Sequence, residues 1–266
     1  MKNFSLLACL FFCLNIFSQQ TVSSPDGNIQ IQFALDDSGK PYYEVNFHGK
    51  EVLAKSYLGF DLQGQENLND NFEIVDHQTE NFDDTWDMPW GEQLKVRNNY
   101  NQLEVEIREK SGLERSLKIV FRAYDDGIGF RYEFPEQENL KEVIISDENT
   151  EFALTGDHKA FWIPGDWDIY EHLYNTTKVS EIDATTKRNN PNLGKHTYIP
   201  ENAVNTPVTM KSDDGYHLSI HEAQLIDYAG MTLKVDPETL KLTTELVGSE
   251  ITGYKVKRET PFHTPW

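Results

Sequence analysis

Residues 117–134 read Leu117-Lys118-Ile119-Val120-Phe121-Arg122-Ala123-Tyr124-Asp125-Asp126-Gly127-Ile128-Gly129-Phe130-Arg131-Tyr132-Glu133-Phe134. Apolar side chains stand at every second position on both sides of Asp125-Asp126-Gly127. That is the period of a strand with one buried face, and the Asp-Gly pair predicts a tight hairpin turn with a positive φ. The same device recurs at Asp213-Asp214-Gly215, between Val208-Thr209-Met210 and Leu218-Ser219-Ile220.

Working outward, Ile29, Ile31, Phe33 and Leu35 alternate with polar residues until Asp36-Asp37-Ser38-Gly39-Lys40-Pro41 interrupts them. Tyr43, Val45 and Phe47 then resume the rhythm. Leu58, Phe60 and Leu62 form another alternating run, as do Leu103, Val105 and Ile107, and later strands are expected over Met231–Val235 and Leu240–Leu246. Short alternating runs at this spacing predict an all-β fold, a large antiparallel two-sheet sandwich with few short helices. A phosphate-cradling glycine loop is missing, and no βα alternation appears, which excludes the nucleotide-binding folds.

Two segments break the rhythm. Residues 64–100 are polar and close with Trp86-Asp87-Met88-Pro89-Trp90-Gly91-Glu92, and residues 165–206 are irregular and include the Thr- and Asn-rich run from Thr185 to Asn192. Strandless stretches of that length are often functional or covered by a partner. Trp86, Trp90, Trp162 and Trp167, four of the five tryptophans, lie in or beside them. They are expected either to plug the ends of the sandwich or to form a sugar-stacking or interdomain surface.

The 266 residues carry 24 Lys+Arg against 44 Asp+Glu, a formal net charge of −20. So acidic a chain is a poor fit to nucleic acid or an anionic membrane, both of which need a cationic face. At its start, Lys2 precedes an apolar run from Phe4 to Phe17 and then Ser18-Gln19-Gln20. This is the pattern of a secretory signal peptide over 1–18, with cleavage after Ser18, and the run is too short for a membrane span. Leu6-Leu7-Ala8-Cys9 offers a lipoprotein box as the second choice. Both cysteines, Cys9 and Cys13, fall inside this segment, so the exported chain is expected to hold no disulfide. The β-sandwich domain is then expected over 19–258. The tail Thr260-Pro261-Phe262-His263-Thr264-Pro265-Trp266 is too apolar for a frayed end, and 259–266 reads as the start of a linker.

The densest concentration of chemistry is Asp166-Trp167-Asp168-Ile169-Tyr170-Glu171, opened by Pro164-Gly165. Hard cations take carboxylate oxygens, so this segment can offer one or two ligands to calcium, although it lacks the spacing and glycine of an EF-hand. A solvated acidic loop is the alternative. Asp166, Trp167 and Asp168 are also candidates for lining a substrate pocket. In His217-Leu218-Ser219-Ile220-His221-Glu222 the two histidines would share a face of a strand, without matching the His-Glu-x-x-His order of zinc proteases. Asn175-Thr176-Thr177 is a formal glycosylation sequon.

Taken together, these stretches resemble the amino-terminal domain of glycoside hydrolase family 97, a family of exported α-glucosidases and α-galactosidases of Gram-negative bacteria. The matching stretches are Ser24–Gly27, Trp86–Glu92, Arg97–Asn101, Phe121–Pro135, Phe161–Glu171, Asn205–Met210, His221–Tyr228 and Pro261–Trp266. The resemblance implies a galactose-mutarotase-like supersandwich that precedes a (β/α)₈ catalytic barrel and acts on α-linked oligosaccharides, in the periplasm. It also implies an active-site calcium held mainly by barrel carboxylates, with one further glutamate from the amino-terminal domain. Aligning Trp162-Ile163-Pro164-Gly165-Asp166 places that glutamate at Glu171. The general acid and the base or nucleophile would lie in the barrel, beyond Trp266, so no catalytic residue is assigned in this chain.

Three functions follow as expectations. The first is an accessory domain of a calcium-dependent α-glycosidase, inactive alone. The second is a free-standing carbohydrate-binding module. The third is an aldose epimerase, which would need His217 or His221 to work with Glu222 even though neighbouring strand residues point to opposite faces.

Overall fold

A computed structural model describes residues 19–188, 197–248 and 253–266. The signal-peptide reading over 1–18, and the part of the Thr- and Asn-rich run beyond Arg188, lie outside the described residues. The strands in chain order are β1 Gln20–Ser23, β2 Ile29–Leu35, β3 Pro41–Phe47, β4 Lys50–Tyr57, β5 Phe60–Leu62, β6 Phe72–Asp87, β7 Lys95–Glu109, β8 Ser116–Ala123, β9 Ile128–Phe134 and β10 Glu142–Glu148. They continue as β11 Glu151–Leu154, β12 Lys159–Trp162, β13 Asn175–Lys178, β14 Ala203–Asn205, β15 Val208–Lys211, β16 His217–Ile220, β17 Gly230–Asp236, β18 Lys241–Val247, β19 Val256–Glu259 and β20 Phe262–His263. Among the described residues the only helical structure is two 3₁₀ turns, Val179–Glu181 and Ala184–Lys187. The all-β expectation holds.

An eight-stranded sheet runs β1-β2-β3-β4-β11-β18-β17-β14, and a five-stranded sheet runs β20-β9-β8-β7-β6. Two smaller sheets, β19-β10-β5 and β13-β12-β15-β16, complete the fold, and every pairing is antiparallel. The alternation seen in the sequence decides what faces inward. Ile31 and Phe33 of β2 and Tyr43 and Val45 of β3 are buried toward Leu103, Val105, Ile119 and Phe121 of β7 and β8. Phe33 and Tyr43 meet Phe121 at centroid distances of 5.9 and 6.0 Å, and Tyr43 meets Phe130 at 5.1 Å. Each such side chain stabilises the fold by roughly 1.5–3 kcal/mol through burial. The tilted ring contacts fix how the two sheets face one another.

Both expected hairpins form, by different turns. Gly215 adopts φ +91°, as a tight Asp-Gly turn requires. Gly127 lies outside the left-handed region, so the positive φ expected there is corrected. The β8–β9 hairpin is closed instead by the Tyr124 amide donating to the Gly127 carbonyl at 2.8 Å. Asp125 faces away and accepts the Asp26 amide at 2.9 Å. Gly39, at φ +81°, is obligatory for a second reason: a Cβ there would come within 2.6 Å of the Phe72 backbone.

Segment 64–100 is the main correction to the sequence reading. β6 and β7 pair along their length, from Phe72 opposite Glu109 to Asp87 opposite Lys95. This hairpin extends past the sandwich, so β6 is exposed on both faces beyond Ile74 and has no buried face to produce an alternating pattern. Cross-strand pairs hold it. Phe82 stacks on Tyr100 at 5.2 Å, Arg97 grips Asp83 through two bonds of 2.7 Å, and Lys95 meets Asp87 at 2.8 Å. Its root is clamped by a buried pair in which Arg115 Nε donates to Glu109 Oε2 at 2.8 Å, while Arg115 Nη1 donates to the Glu66 carbonyl at 2.8 Å.

The tail lies against the sandwich. Phe262 and His263 pair with Phe134 and Glu133, and Phe262 stacks on Phe134 at 4.5 Å. Trp266 exchanges backbone bonds of 2.8 and 2.9 Å with Ala223, and Arg122 and Arg131 lie over its ring.

Candidate functional site

The loop from Pro164 to Tyr174 leaves β12 and crosses the sandwich before β13 begins. Its base is fixed by backbone pairing: the Gly165 amide donates to the Ala203 carbonyl at 2.8 Å, and Trp167 donates to Thr197 at 2.9 Å. A Cβ on Gly165 would stand 3.1–3.2 Å from Ala203, so a side chain there would push the two segments apart. Trp162 is buried two residues before the loop, and its indole N–H donates to the Thr177 hydroxyl at 3.0 Å.

Asp166, a pocket candidate in the sequence, is the internal anchor of this loop. Its side chain is fully enclosed. Oδ1 accepts the Asp168 amide at 2.9 Å, the Ile169 amide at 3.2 Å and the Thr197 hydroxyl, while Oδ2 accepts His172 Nε2 at 3.1 Å. Burial alone would raise this carboxyl. The donors from Thr197, Asp168, His172 and Ile169 outweigh it and hold Asp166 below the usual carboxylate range. Its oxygens are therefore directed into the loop.

The other candidates face outward. Trp167, Asp168 and Glu171 are exposed, as are Tyr170, Leu173 and Tyr174. Leu225 and Ile226, in the loop after β16, are exposed too, and a groove runs between Trp167 and Asp227–Gly230. An exposed carboxylate thus sits amid exposed aromatic and aliphatic side chains, on a loop stiffened from beneath. Among the described residues no group of three or more His, Cys, Asp or Glu side chains comes together to hold a metal ion. Glu171 fits a hard cation as one oxygen donor, so the remaining ligands would have to come from elsewhere.

The tryptophans divide between the two expectations. Trp162 is core, whereas Trp86 and Trp90 stand out near the tip of the β6–β7 hairpin, with Trp90 81% exposed. They do not plug the sandwich ends. His217 and His221 are both exposed, and β16 ends at Ile220, so strand alternation does not extend to His221 and Glu222. Glu222 turns back to accept the Met231 amide at 3.0 and 3.1 Å, and all three residues border one cavity. Sequence reasoning missed a buried carboxylate on that cavity, Glu148, because nothing near it in the sequence marks it out.

These features define an all-β sandwich domain with a rigid presenting loop. Residues 22–266 match the family described as Glycosyl-hydrolase 97 N-terminal, and the chain belongs to glycoside hydrolase family 97, as its amino-terminal region. It is 34% identical to a family 97 enzyme from Pseudoalteromonas sp. strain K8 solved in complex with acarbose. The TM-score is 0.81, over 93% of this chain and 34% of that one. A retaining alpha-galactosidase of Bacteroides thetaiotaomicron is 21% identical over 98% of this chain and 40% of its own length. A beta-arabinopyranosidase structure shares the fold at a TM-score of 0.77, with 21% identity over 93% of this chain and 39% of that one. The chain therefore spans at most two fifths of the length of these relatives. Among the described residues no helix is long and apolar enough to cross a membrane.

Proposed function

We propose that this chain is the accessory amino-terminal sandwich of an exported, periplasmic, calcium-dependent α-glycoside hydrolase acting on α-linked oligosaccharides. In this reading it packs on a (β/α)₈ catalytic barrel and donates Glu171 to a calcium ion at the active site. The observation that carries the reading is the apolar face around Glu171. Trp167, Tyr170, Leu173 and Tyr174, all within four residues of Glu171 in the chain, expose large side chains, and Ile226 is exposed too, as in surfaces that bury against a partner. Asp166 holds the loop while Glu171 offers a carboxylate oxygen outward. Calcium, when bound, supplies a fixed positive charge that orients substrate and stabilises developing negative charge.

A glycosidase needs two carboxylates at a set separation across the scissile bond, and a single donated ligand does not replace them. The purified chain is therefore expected to give no turnover of nitrophenyl α-glucoside or α-galactoside with calcium present, and sustained turnover would refute the reading. Calorimetry is expected to give calcium affinity weaker than about 10⁻⁵ M, because tight sites use six to eight oxygens. Micromolar binding that vanishes in Glu171→Gln would contradict dependence on a partner.

A second reading, a free-standing carbohydrate-binding module, is favoured by Trp86 and Trp90, whose exposed rings offer stacking faces for sugars. Titration of the isolated chain with maltose-type oligosaccharides separates the two: saturable binding selects the module.

A further inference from the structure

Between the eight-stranded sheet and the β8–β9 and β15–β16 hairpins lies a cavity of about 620 Å³, large enough for a molecule of a dozen or more heavy atoms. Its walls are apolar, formed by side chains such as Val45, Leu53, Phe130, Phe152, Leu218 and Leu246. The polar lining includes a connected group, Glu148, Thr150 and Tyr228, and a second carboxylate, Glu222, on the same cavity.

Glu148 is 92% buried by its 8% exposure, and three hydroxyls are organised around it. Tyr228 donates to Oε2 at 2.8 Å and Thr150 to Oε1 at 2.7 Å. Tyr132, 2.6 Å from the Thr150 oxygen, supplies the next donor in the chain. Glu222, half-buried, receives only the Met231 amide. Among the described residues neither carboxylate has a cation within ion-pair distance, although buried carboxylates are ordinarily paired. Burial pushes both upward from the usual range, and the negative charges of Asp147 and Glu222 add to the rise at Glu148. The remaining charged or titratable groups on the lining are Arg122, Tyr124, Asp125, Asp126, Tyr216, His217 and His221. Arg122 is engaged over the Tyr100 and Trp266 rings and bonded to Gln102.

We propose that this cavity binds a small organic cation, a primary amine on an apolar body, with its ammonium group seated on Glu148 and Glu222. Each Glu148 oxygen accepts one hydroxyl and retains a free lone pair, and an ammonium brings three donors and no acceptor. The apolar walls accommodate the body. A sugar fits poorly, because its hydroxyls would face those walls without partners. An anion would meet two uncompensated carboxylates. The amine site makes no use of Glu171, and an amine series reads it apart from the calcium titration.

A matched series of octylamine, octan-1-ol and octanoate, titrated calorimetrically into the purified chain, tests this. The amine is expected to bind about tenfold or more tighter than the alcohol, the scale of a charge-assisted hydrogen bond, with octanoate weakest. Glu222→Gln, which keeps an oxygen for the Met231 amide, is expected to reduce that preference several-fold. The Glu148→Gln/Glu222→Gln pair abolishes it while leaving alcohol binding in place. Leu218→Trp, which fills the cavity, is expected to remove all three ligands. Octanoate binding as tightly as the amine would overturn the proposal, as would amine binding unchanged in Leu218→Trp, which marks mere attraction to an acidic surface. Absence of binding by the whole series, in a chain whose melting curve shows it folded, would overturn it too.

Discussion

The loop at 164–174 and the hairpin at 72–109 are both exposed, both carry tryptophan at the surface, and neither shows strand rhythm in most of its sequence, yet they are held by opposite means. The loop has almost no regular structure of its own and is fixed by one enclosed carboxylate that gathers four donors from around it. The hairpin has a continuous ladder with very little burial, and its outer part depends on side-chain pairs between its own two strands. A segment organised by a buried hub should fail all at once when the hub is removed, because several groups lose their partner together. A segment organised by a ladder should tolerate the loss of any one exposed rung. The difference also suits their surfaces: the hub sets the backbone that carries Glu171, whereas the ladder carries Trp86 and Trp90 out past the sandwich.

The largest effect is expected where the hairpin ceases to be self-supporting. Arg115 is wholly buried against Glu109 and also ties down the 66–67 segment through backbone carbonyls. Arg115→Ala leaves a buried carboxylate without its cation and is expected to cost about 3–5 kcal/mol in urea unfolding. Replacing the pair with apolar residues, Arg115→Met with Glu109→Leu, should restore most of that loss. A single replacement as mild as an exposed rung would break the claim that the root alone is anchored by burial.

Asp166→Ala comes next, at about 2–3 kcal/mol, with protease cleavage appearing between Trp167 and Tyr174 while the sandwich stays intact. The pH dependence has a definite sign. The folded carboxyl titrates below its unfolded value, so its stabilisation is fully present above the unfolded value, near pH 4, and is lost as pH falls through the lower folded value. Thermal melts of the wild type and Asp166→Ala should therefore differ at neutral pH and converge in strong acid. A constant gap down to pH 2 would show that the carboxylate charge is not what holds the loop.

How much was legible follows from the same contrast. Ile31, Phe33, Ile119 and Phe121 alternate because each lies on a sheet with one wet and one dry face, so the sandwich could be read directly from their spacing. β6 could not, since beyond Ile74 it has two wet faces; its signals were the facing Phe82 and Tyr100 and the opposed charges of Asp83 and Arg97, which become visible only once a register is known. The loop was recognised as a site by its carboxylates, but their roles were hidden. Asp166 and Glu171 are chemically alike, and only the fold brings Thr197 and His172 to one of them and leaves the other in solvent. Glu148 was invisible for a similar reason: Thr150 is near it in the chain, but Tyr228, its other partner, is 80 residues away.

The smallest expected effect is at the hairpin tip, and it sharpens the comparison by separating stability from surface. Trp90 is 81% exposed beside Gly91, whose φ of +118° sets the turn, and the Met88 amide closes the tip on the Leu94 carbonyl at 2.8 Å. None of that backbone bonding passes through the indole, so Trp90→Ser should change the unfolding free energy by less than about 0.5 kcal/mol. A larger loss would mean the ring supports the ladder, and the hairpin would then share the loop's dependence on a single residue. If stability is unchanged but maltose-type oligosaccharide binding disappears, the tip is a recognition surface, and a large side chain exposed on an otherwise polar arm has its explanation in a ligand.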